Sequence, residues 1–579
     1  MNYMEKYNMW LKDDYIDQDT KDELLAIKDD RKEIEERFYK DLEFGTGGMR
    51  GIIGAGSNRM NIYTIGATTQ GLANYISKGG PENKAKGVVI AYDSRKFSYE
   101  FAREAALVLN GNGIKTHLFN EITTTPELSY AVRYLGCAGG IVVTASHNPP
   151  EYNGFKVYSP KGVQLSLEDS ERLIEEVSKV EDFSSIRKKA SDEAIKEGLF
   201  TIVSKEVEDG FIDRVKTQSI YGDIIKKVSA DFKIVYTPLH GTGLRPVKRI
   251  LNEIGFKDIL VVPEQAEPDG NFPTVKYPNP EDKTAFSLAL ELANREKADI
   301  AIATDPDCDR LGVAFKNRAG EYILLNGNQI GVLLTEYVLS SRKAKGTLPE
   351  NAAMITTIVT SDLGVEIAKS YGVEVFKTLT GFKFIGEVME QFVDNNSHKF
   401  ILGYEESHGY LIGDHARDKD GVGASMVMAE LAAYYYSLGK TLDEVLEDIY
   451  KKYGYYVEKL ESITLEGKEG MEKIERIMNY FRESSPDKWQ GKNIVYFEDY
   501  LEQKQYNKVR NVIKSLKLPK SNVLKFIFED NSWFSIRPSG TEPKIKFYFS
   551  IIGDSMEDGN AKADALIEEV LKVVNSISK

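Results

Sequence analysis

Short, continuous apolar runs alternate with amphipathic stretches along most of the chain. The segments 87–92 (Gly-Val-Val-Ile-Ala-Tyr), 141–143, 232–237, 299–304, 353–360 and 399–402 are rich in β-branched residues. That is the pattern of strands buried on both faces. Residues 99–109 carry helical spacing behind Ser98, a residue type that caps helices well. Strand and helix recurring in this way predict α/β domains with parallel or mixed sheets covered on both faces. The first 42 residues are rich in Asp, Glu and Lys and place Leu24, Leu25, Ile27, Ile34 and Phe38 at helical intervals, so they predict helices packed on the first domain. The tail differs. Residues 533–536 and 544–552 read as strands around a turn, and residues 557–578 follow a helical period through Ala561, Ala565, Ile567, Val570 and Val573, which predicts a smaller α+β domain.

Boundaries fall near residues 205, 325 and 455, giving domains 1–205, 206–325, 326–455 and 456–579. Residues 263–280 hold five prolines and read as a packed crossing loop rather than a binding motif.

Composition narrows the function classes. A chain of 579 residues, 42% apolar and 28% charged, can build several cores and is not dominated by disorder. The charge balance, 75 − 89 = −14, argues against a nucleic-acid partner, which needs a basic footprint. Two cysteines, Cys137 and Cys308, cannot supply a disulfide framework or a cysteine-built zinc site. No uncharged apolar run is long enough to span a bilayer, and the charged opening residues lack the apolar core of a signal peptide. A soluble, cytoplasmic protein without a membrane partner is therefore expected.

Three polar loops follow directly on buried strands: Thr144-Ala-Ser-His-Asn-Pro149, Asp305-Pro-Asp-Cys-Asp-Arg310 and Gly403-Tyr-Glu-Glu-Ser-His408. In open α/β sheets ligands bind beyond the carboxyl ends of strands, so the three loops could share one cleft. Asp305, Asp307 and Asp309 are costly to hold together without a cation. An Asx-rich turn is the competing reading. The EF-hand pattern fails at Arg310 and Lys316, and hard oxygen ligands in small number suit Mg²⁺. Ser146 lies in no Gly-x-Ser-x-Gly elbow, and adjacent side chains on a loop rarely face each other, so a dyad with His147 is not expected. A serine beside bound Mg²⁺ can instead carry a phosphoryl group; the commoner fate of a single serine is to cap a turn. Arg537-Pro-Ser-Gly-Thr-Glu-Pro-Lys544 combines cations, hydroxyls and a glycine amide suited to cradling phosphate. The glycine-rich segment 45–51 fails Gly-x-Gly-x-x-Gly at Arg50, and Gly439-Lys-Thr441 fails the Walker pattern at Tyr434, so nucleotide binding has no support.

These four motifs, in this order, resemble those of the α-D-phosphohexomutase superfamily: T-A-S-H-N-P, D-x-D-x-D-R, G-E-x-S and R-x-S-G-T-E-P. The resemblance spans nearly the whole chain beyond the N-terminal helices. It departs at Tyr404, before the loop glutamate, and at Cys308, where glycine is common. It implies three similar α/β domains and a fourth of another type around a central cleft. It further implies that Ser146 is phosphorylated, and that Asp305, Asp307 and Asp309 hold Mg²⁺ with the Ser146 phosphoryl oxygen completing the site and Arg310 beside it. By the same resemblance Glu405 and Ser407 read sugar hydroxyls, and Arg537, Ser539, Gly540 and Thr541 hold the non-reacting phosphate. Arg50 and Lys156 would flank the transferred phosphoryl, Lys156 as candidate general acid/base, with Lys383 a further sugar-side cation.

The implied reaction passes the phosphoryl from Ser146 to a hexose phosphate and takes the other one back, through a bisphosphate such as glucose 1,6-bisphosphate. The spelling of residues 54–60 (Gly-Ala-Gly-Ser-Asn-Arg-Met) is similar to the longer bacterial phosphoglucomutase branch, which orders the substrates as glucose, then mannose, then pentose phosphate. Two rivals are an aspartyl phosphatase, because Asp305 follows a strand and precedes Asp307, and a silent sugar-phosphate sensor. The third carboxylate and the separate phosphate loop argue against the phosphatase, and the occupied chemical positions argue against the sensor.

Overall fold

A computed structural model describes residues 2–45, 47–465, 467–539 and 544–577. The chain forms two compact units, Met1–Gly327 with Phe382–Thr441, and Asn328–Gly381 with Leu442–Lys579. No helix among the described residues is long and apolar enough to cross a membrane.

The first unit opens with the expected helices, Tyr3–Lys12, Gln18–Ala26 and Arg31–Phe38, capped by Asn2, Asp17 and Asp30. They bury Trp10, Leu24, Ile34 and Phe38 against Tyr63, and Trp10 meets Phe38 edge-on at 5.7 Å. Leu25, on the other side of its helix, stays exposed. Next comes a six-stranded sheet in the order Met49–Ile52, Tyr152–Tyr158, Gly139–Val143, Val88–Tyr92, Thr116–Leu118, Phe200–Ile202. A five-stranded sheet follows, in the order Tyr322–Leu324, Leu311–Lys316, Ile300–Thr304, Ile234–Thr237, Ile259–Val261.

In both sheets the central strands run parallel and one side is antiparallel. The sheets are mixed for a specific reason: each polar loop returns at once into an antiparallel strand. Gly139–Val143 pairs with Tyr152–Tyr158, Ile300–Thr304 with Leu311–Lys316, and Lys399–Glu405 with Gly409–Ile412. The three loops are thus tips of β-hairpins, not strand-to-helix crossovers.

Two local readings change as well. The helix Ser98–Gly111 is preceded by Phe97 in a left-handed conformation (φ 61°), and Ser98 caps nothing. Its hydroxyl turns inward and donates to Asp93 Oδ1 at 2.7 Å. The proline-rich segment is packed, as expected, but it contains a short helix, Pro263–Ala266. A side chain at Gly270 would meet the Lys96 amide at 2.5 Å, so only glycine permits that close approach.

In the second unit, Ala352–Thr357 and Glu374–Thr378 pair in parallel. The predicted α+β tail is an antiparallel sheet in the order Tyr455–Thr464, Lys544–Gly553, Trp533–Pro538, Leu524–Phe528, Lys492–Asp499, Lys504–Asn507, Val512–Ser515. The helices Gly467–Glu483 and Met556–Ile577 pack on it over a core that includes Phe481, Trp489, Phe526, Phe534 and Phe547.

Candidate active site

The serine hairpin is held from behind by an arginine that sequence reasoning missed. Arg95 lies 3% exposed beneath residues 146–152. Its guanidinium donates to the carbonyls of Ser146 (2.6 Å), Asn148 (2.5 Å), Pro149 (2.8 Å) and Tyr152 (3.0 Å). Four acceptors in one fork use the planar geometry that only arginine has. Asp93 lies 3.4 Å away as counter-ion, and Phe272, from the proline-rich segment, stacks under the guanidinium at 4.9 Å. Burial raises the Asp93 carboxyl and lowers the Arg95 guanidinium, while their mutual attraction opposes both shifts. A signal was available: Asp93-Ser-Arg95 follows the strand Val88–Tyr92 just as the other three loops follow theirs.

So anchored, Ser146 takes a left-handed conformation (φ 52°), and its amide donates to Thr144 Oγ1 at 2.8 Å. Its hydroxyl donates to Asp305 Oδ2 at 2.6 Å. The same backbone twist overturns the expectation for His147, whose Nδ1 lies 3.2 Å from Ser146 Oγ. Burial, then the cations Arg310 and Arg50, hold this imidazole far below its usual range, so it is neutral.

The hairpin tip at 305–310 is fully buried at its three aspartates, and one oxygen from each lies within 4.8 Å of the others. Asp305 Oδ1 accepts the amides of Asp309 (3.0 Å) and Arg310 (2.9 Å). Asp307 Oδ1 and Asp309 Oδ1 are buried with no hydrogen-bond partner among the described residues. Burial and the neighbouring carboxylates push Asp305 and Asp309 up, whereas Lys156 and Lys419 override burial to hold Asp307 low. Buried carboxylate oxygens with no donor fit a hard divalent cation. Cys308 is buried at φ 53°, the conformation that explains why glycine suits that position.

Cations close the site. Lys156 Nζ lies 3.1 Å from Asp307 Oδ2 and 3.8 Å from Asp309 Oδ2. Lys419, which no motif flagged, lies 3.1 Å from Asp309 Oδ2 and 3.2 Å from Asp418. Arg310 pairs with Glu281, and Arg50 donates to Asn148 Oδ1 at 2.9 Å on the serine hairpin. The third hairpin is tied to the second: Leu311 N donates to His408 O at 3.1 Å, and Gly421 N to Cys308 O at 3.0 Å. That tie brings Glu405 close enough to act electrostatically on Arg310 and Lys419, with Ser407 on the same tip.

Ser146, Lys156, Arg310 and the three aspartates therefore converge, with Arg50 and Glu405 at the edge. Lys383 is buried at the start of the helix Phe382–Asn395, with Glu387 as its charged neighbour rather than the aspartates. In the second unit Arg537 sits near the end of the strand Trp533–Pro538 opposite Lys546, and Ser539 N donates to Lys544 O at 2.6 Å. Gly540 and Thr541 lie outside the described residues.

One buried acid lies on the helix beside the aspartate hairpin. The helix Thr125–Tyr134 abuts it, Thr125 donating through N (2.9 Å) and Oγ1 (3.0 Å) to Asp307. Two residues on, Glu127 is buried with Oε1 unpartnered, and burial reinforced by Glu208 pushes its carboxyl up to about 8. The folded protein thus binds a proton there that the unfolded chain releases near 4.5. This contribution weakens the fold as pH rises from 4.5 to about 8. Glu127→Gln is expected to remove that slope and to stabilise the protein at pH 8 by about 2 kcal/mol or more. Denaturant unfolding of both proteins across the window checks this; parallel curves contradict it.

Comparisons with known proteins show the family. The chain matches Phosphoglucomutase/phosphomannomutase, alpha/beta/alpha domain I over residues 41–184, domain II over 209–320, domain III over 326–453 and the C-terminal domain over 495–565. A phosphoglucomutase of Staphylococcus saprophyticus is 38% identical over 560 residues, 96% of this chain and 97% of that protein. One of Staphylococcus aureus is 40% identical over 542 residues, 93% and 95% of the two chains. In fold, parafusin, a phosphoglucomutase of Paramecium solved in an open form, matches with a TM-score of 0.68 at 20% identity, over 93% of this chain and 95% of its own. The chain belongs to the phosphoglucomutase/phosphomannomutase family and is an enzyme of the intramolecular phosphotransferase class.

Proposed function

We propose that this enzyme interconverts α-D-glucose 1-phosphate and glucose 6-phosphate through a phosphoserine at Ser146 and a glucose 1,6-bisphosphate intermediate. The observation that carries the reading is the 2.6 Å hydrogen bond from Ser146 Oγ to Asp305, which joins the group to be loaded to the buried carboxylate cluster. The names of the Staphylococcus relatives support glucose as the sugar.

Asp305, Asp307 and Asp309 are proposed to hold Mg²⁺, which when bound neutralises charge on the transferring phosphoryl group. In the forward half-reaction the sugar hydroxyl attacks phosphorus, the P–Oγ bond to Ser146 breaks with its electron pair left on Oγ, and the hydroxyl proton passes to a base that returns one proton to Oγ. We assign that role to Lys156, whose Nζ reaches the carboxylate cluster. Arg50 and Arg310 balance phosphoryl charge, and Asn148, clamped between Arg50 and Arg95, keeps the serine tip in line. Glu405 and Ser407 are assigned to sugar hydroxyls, with Lys383 as a more distant cation. Arg537, Ser539, Gly540 and Thr541 are assigned to the phosphate that does not react. Domain limits at 205, 325 and 455 are part of the same proposal. Both cysteines are buried and unpaired, in keeping with a reducing cytoplasm.

The test is a substrate panel of glucose, mannose, ribose and deoxyribose 1-phosphates with the matching bisphosphate supplied. Glucose 1-phosphate is expected to show the highest kcat/KM, and chelation of divalent cations is expected to abolish turnover. A higher kcat/KM for mannose or pentose phosphate would overturn the sugar assignment, and metal-independent turnover the role of the aspartates.

A further inference from the structure

A cavity of about 960 Å³ lies wholly within the second unit and shares no residue with the set assigned to phosphoryl transfer. Its wall includes Lys525, 3% exposed, whose ammonium donates to the carbonyl of Ile358 at 2.6 Å and lies 3.8 Å from the centre of the Trp533 ring. An ammonium has three N–H donors, and among the described residues one here has an acceptor. Trp533 is itself fixed, its indole N–H donating to Asp362 Oδ2 at 2.9 Å.

The other two lysines of the wall, and Glu498, have partners of their own. Lys377 pairs with Asp362, and Lys369 with Glu366 at 2.8 Å. Glu498 accepts from Tyr500 Oη at 2.6 Å and from Gln505 Nε2 at 2.7 Å. Lys525 is thus a buried cation whose hydrogen-bonding capacity is two-thirds unused, set on an aromatic face beside an open volume. Such a group gains most from a charged acceptor.

We propose that this cavity binds a small organic monoanion, a carboxylate on an aromatic or aliphatic body, which takes the spare donors of Lys525 and lays its body against Trp533, Tyr456 and Tyr500. The volume is that of a small-molecule site, and its wall mixes aliphatic and aromatic side chains with seven charged ones. Charge selects the class. Three lysines face four carboxylates, Asp362, Glu366, Glu374 and Glu498, so repulsion grows with each negative charge a ligand carries, and a single carboxylate set on Lys525 meets the least. Burial and the nearby Lys377 hold the Lys525 amine down at about 8, which makes it open to acylation while the cavity is empty. Trp533 opens the strand that carries Arg537, so occupancy is expected to shift KM for the sugar phosphate more than kcat. That consequence rests on the role proposed for Arg537; binding itself does not.

The test uses the full chain, titrated with benzoate and, separately, with inorganic phosphate. Tryptophan fluorescence is followed (Trp10, Trp489 and Trp533 are the three indoles), together with acetylation of Lys525 by mass spectrometry. Benzoate is expected to quench saturably, to lose that signal in Trp533→Phe, and to protect Lys525 from acetylation. Lys525→Met should weaken benzoate binding at least about tenfold, the loss of one charge-assisted hydrogen bond. No saturable response, unchanged acetylation, equal affinity in Lys525→Met, or binding of phosphate in place of benzoate each overturns the proposal. The protection assay needs no variant, so it decides even if Lys525→Met does not fold.

Discussion

Ser146→Ala is expected to lower glucose 1-phosphate turnover by about four orders of magnitude or more, the scale of losing a covalent nucleophile. No neighbouring group can stand in. The neighbouring hydroxyl of Thr144 is held as the acceptor of the Ser146 amide, and His147 is a neutral ring beside Ser146 Oγ. The fold should survive, because alanine in a left-handed conformation costs about 1–2 kcal/mol, no more than serine already bears there. Steady-state kinetics with bisphosphate supplied, beside a far-UV spectrum, make the measurement. The rival aspartyl phosphatase predicts the reverse: Asp305 would still be the nucleophile, and hydrolysis of sugar phosphates would persist. In this structure Asp305 is poorly placed for attack, since Oδ1 receives two amides and Oδ2 the serine hydroxyl.

The second large effect is expected at Arg95. Arg95→Met leaves Asp93 buried without its counter-ion and strips four carbonyls of the donors that hold the serine tip. Removing one partner of a buried pair costs about 3–5 kcal/mol, more than a single lost hydrogen bond. Denaturant unfolding should show that loss, and kcat should fall while KM for the sugar phosphate changes little, because Arg95 positions the nucleophile and touches no substrate. Arg95→Lys keeps the charge but cannot span four acceptors. It should therefore restore much of the stability and little of kcat. A lysine variant with full turnover, or a methionine variant as stable as the parent, would contradict the clamp.

How far the chain discloses its structure depends on the kind of information required. Buried strands such as Val88–Tyr92 and Ile300–Thr304 were legible because a run of β-branched residues has few other uses. The aspartate triplet was legible because like charges so close demand an explanation. Strand direction was not: an apolar run reads the same in a parallel or an antiparallel pair, so the hairpin nature of the three loops came only from the fold. Arg95, Lys419 and Glu127 went unnoticed because each depends on a partner far along the chain, Asn148, Asp309 and Glu208. His147 was misjudged because the left-handed turn at Ser146 is a backbone property that side-chain chemistry does not announce.

We propose that Ser146 carries the phosphoryl group beside a metal held by Asp305, Asp307 and Asp309. Incubating the enzyme with glucose 1,6-bisphosphate and Mg²⁺, followed by peptide mass spectrometry, tests it most directly. One phosphoryl group per chain is expected on the peptide containing Ser146, removed on adding excess glucose 6-phosphate and absent in Ser146→Ala. Turnover with no phosphoryl group on that peptide, or with the group found on Asp305, would contradict it.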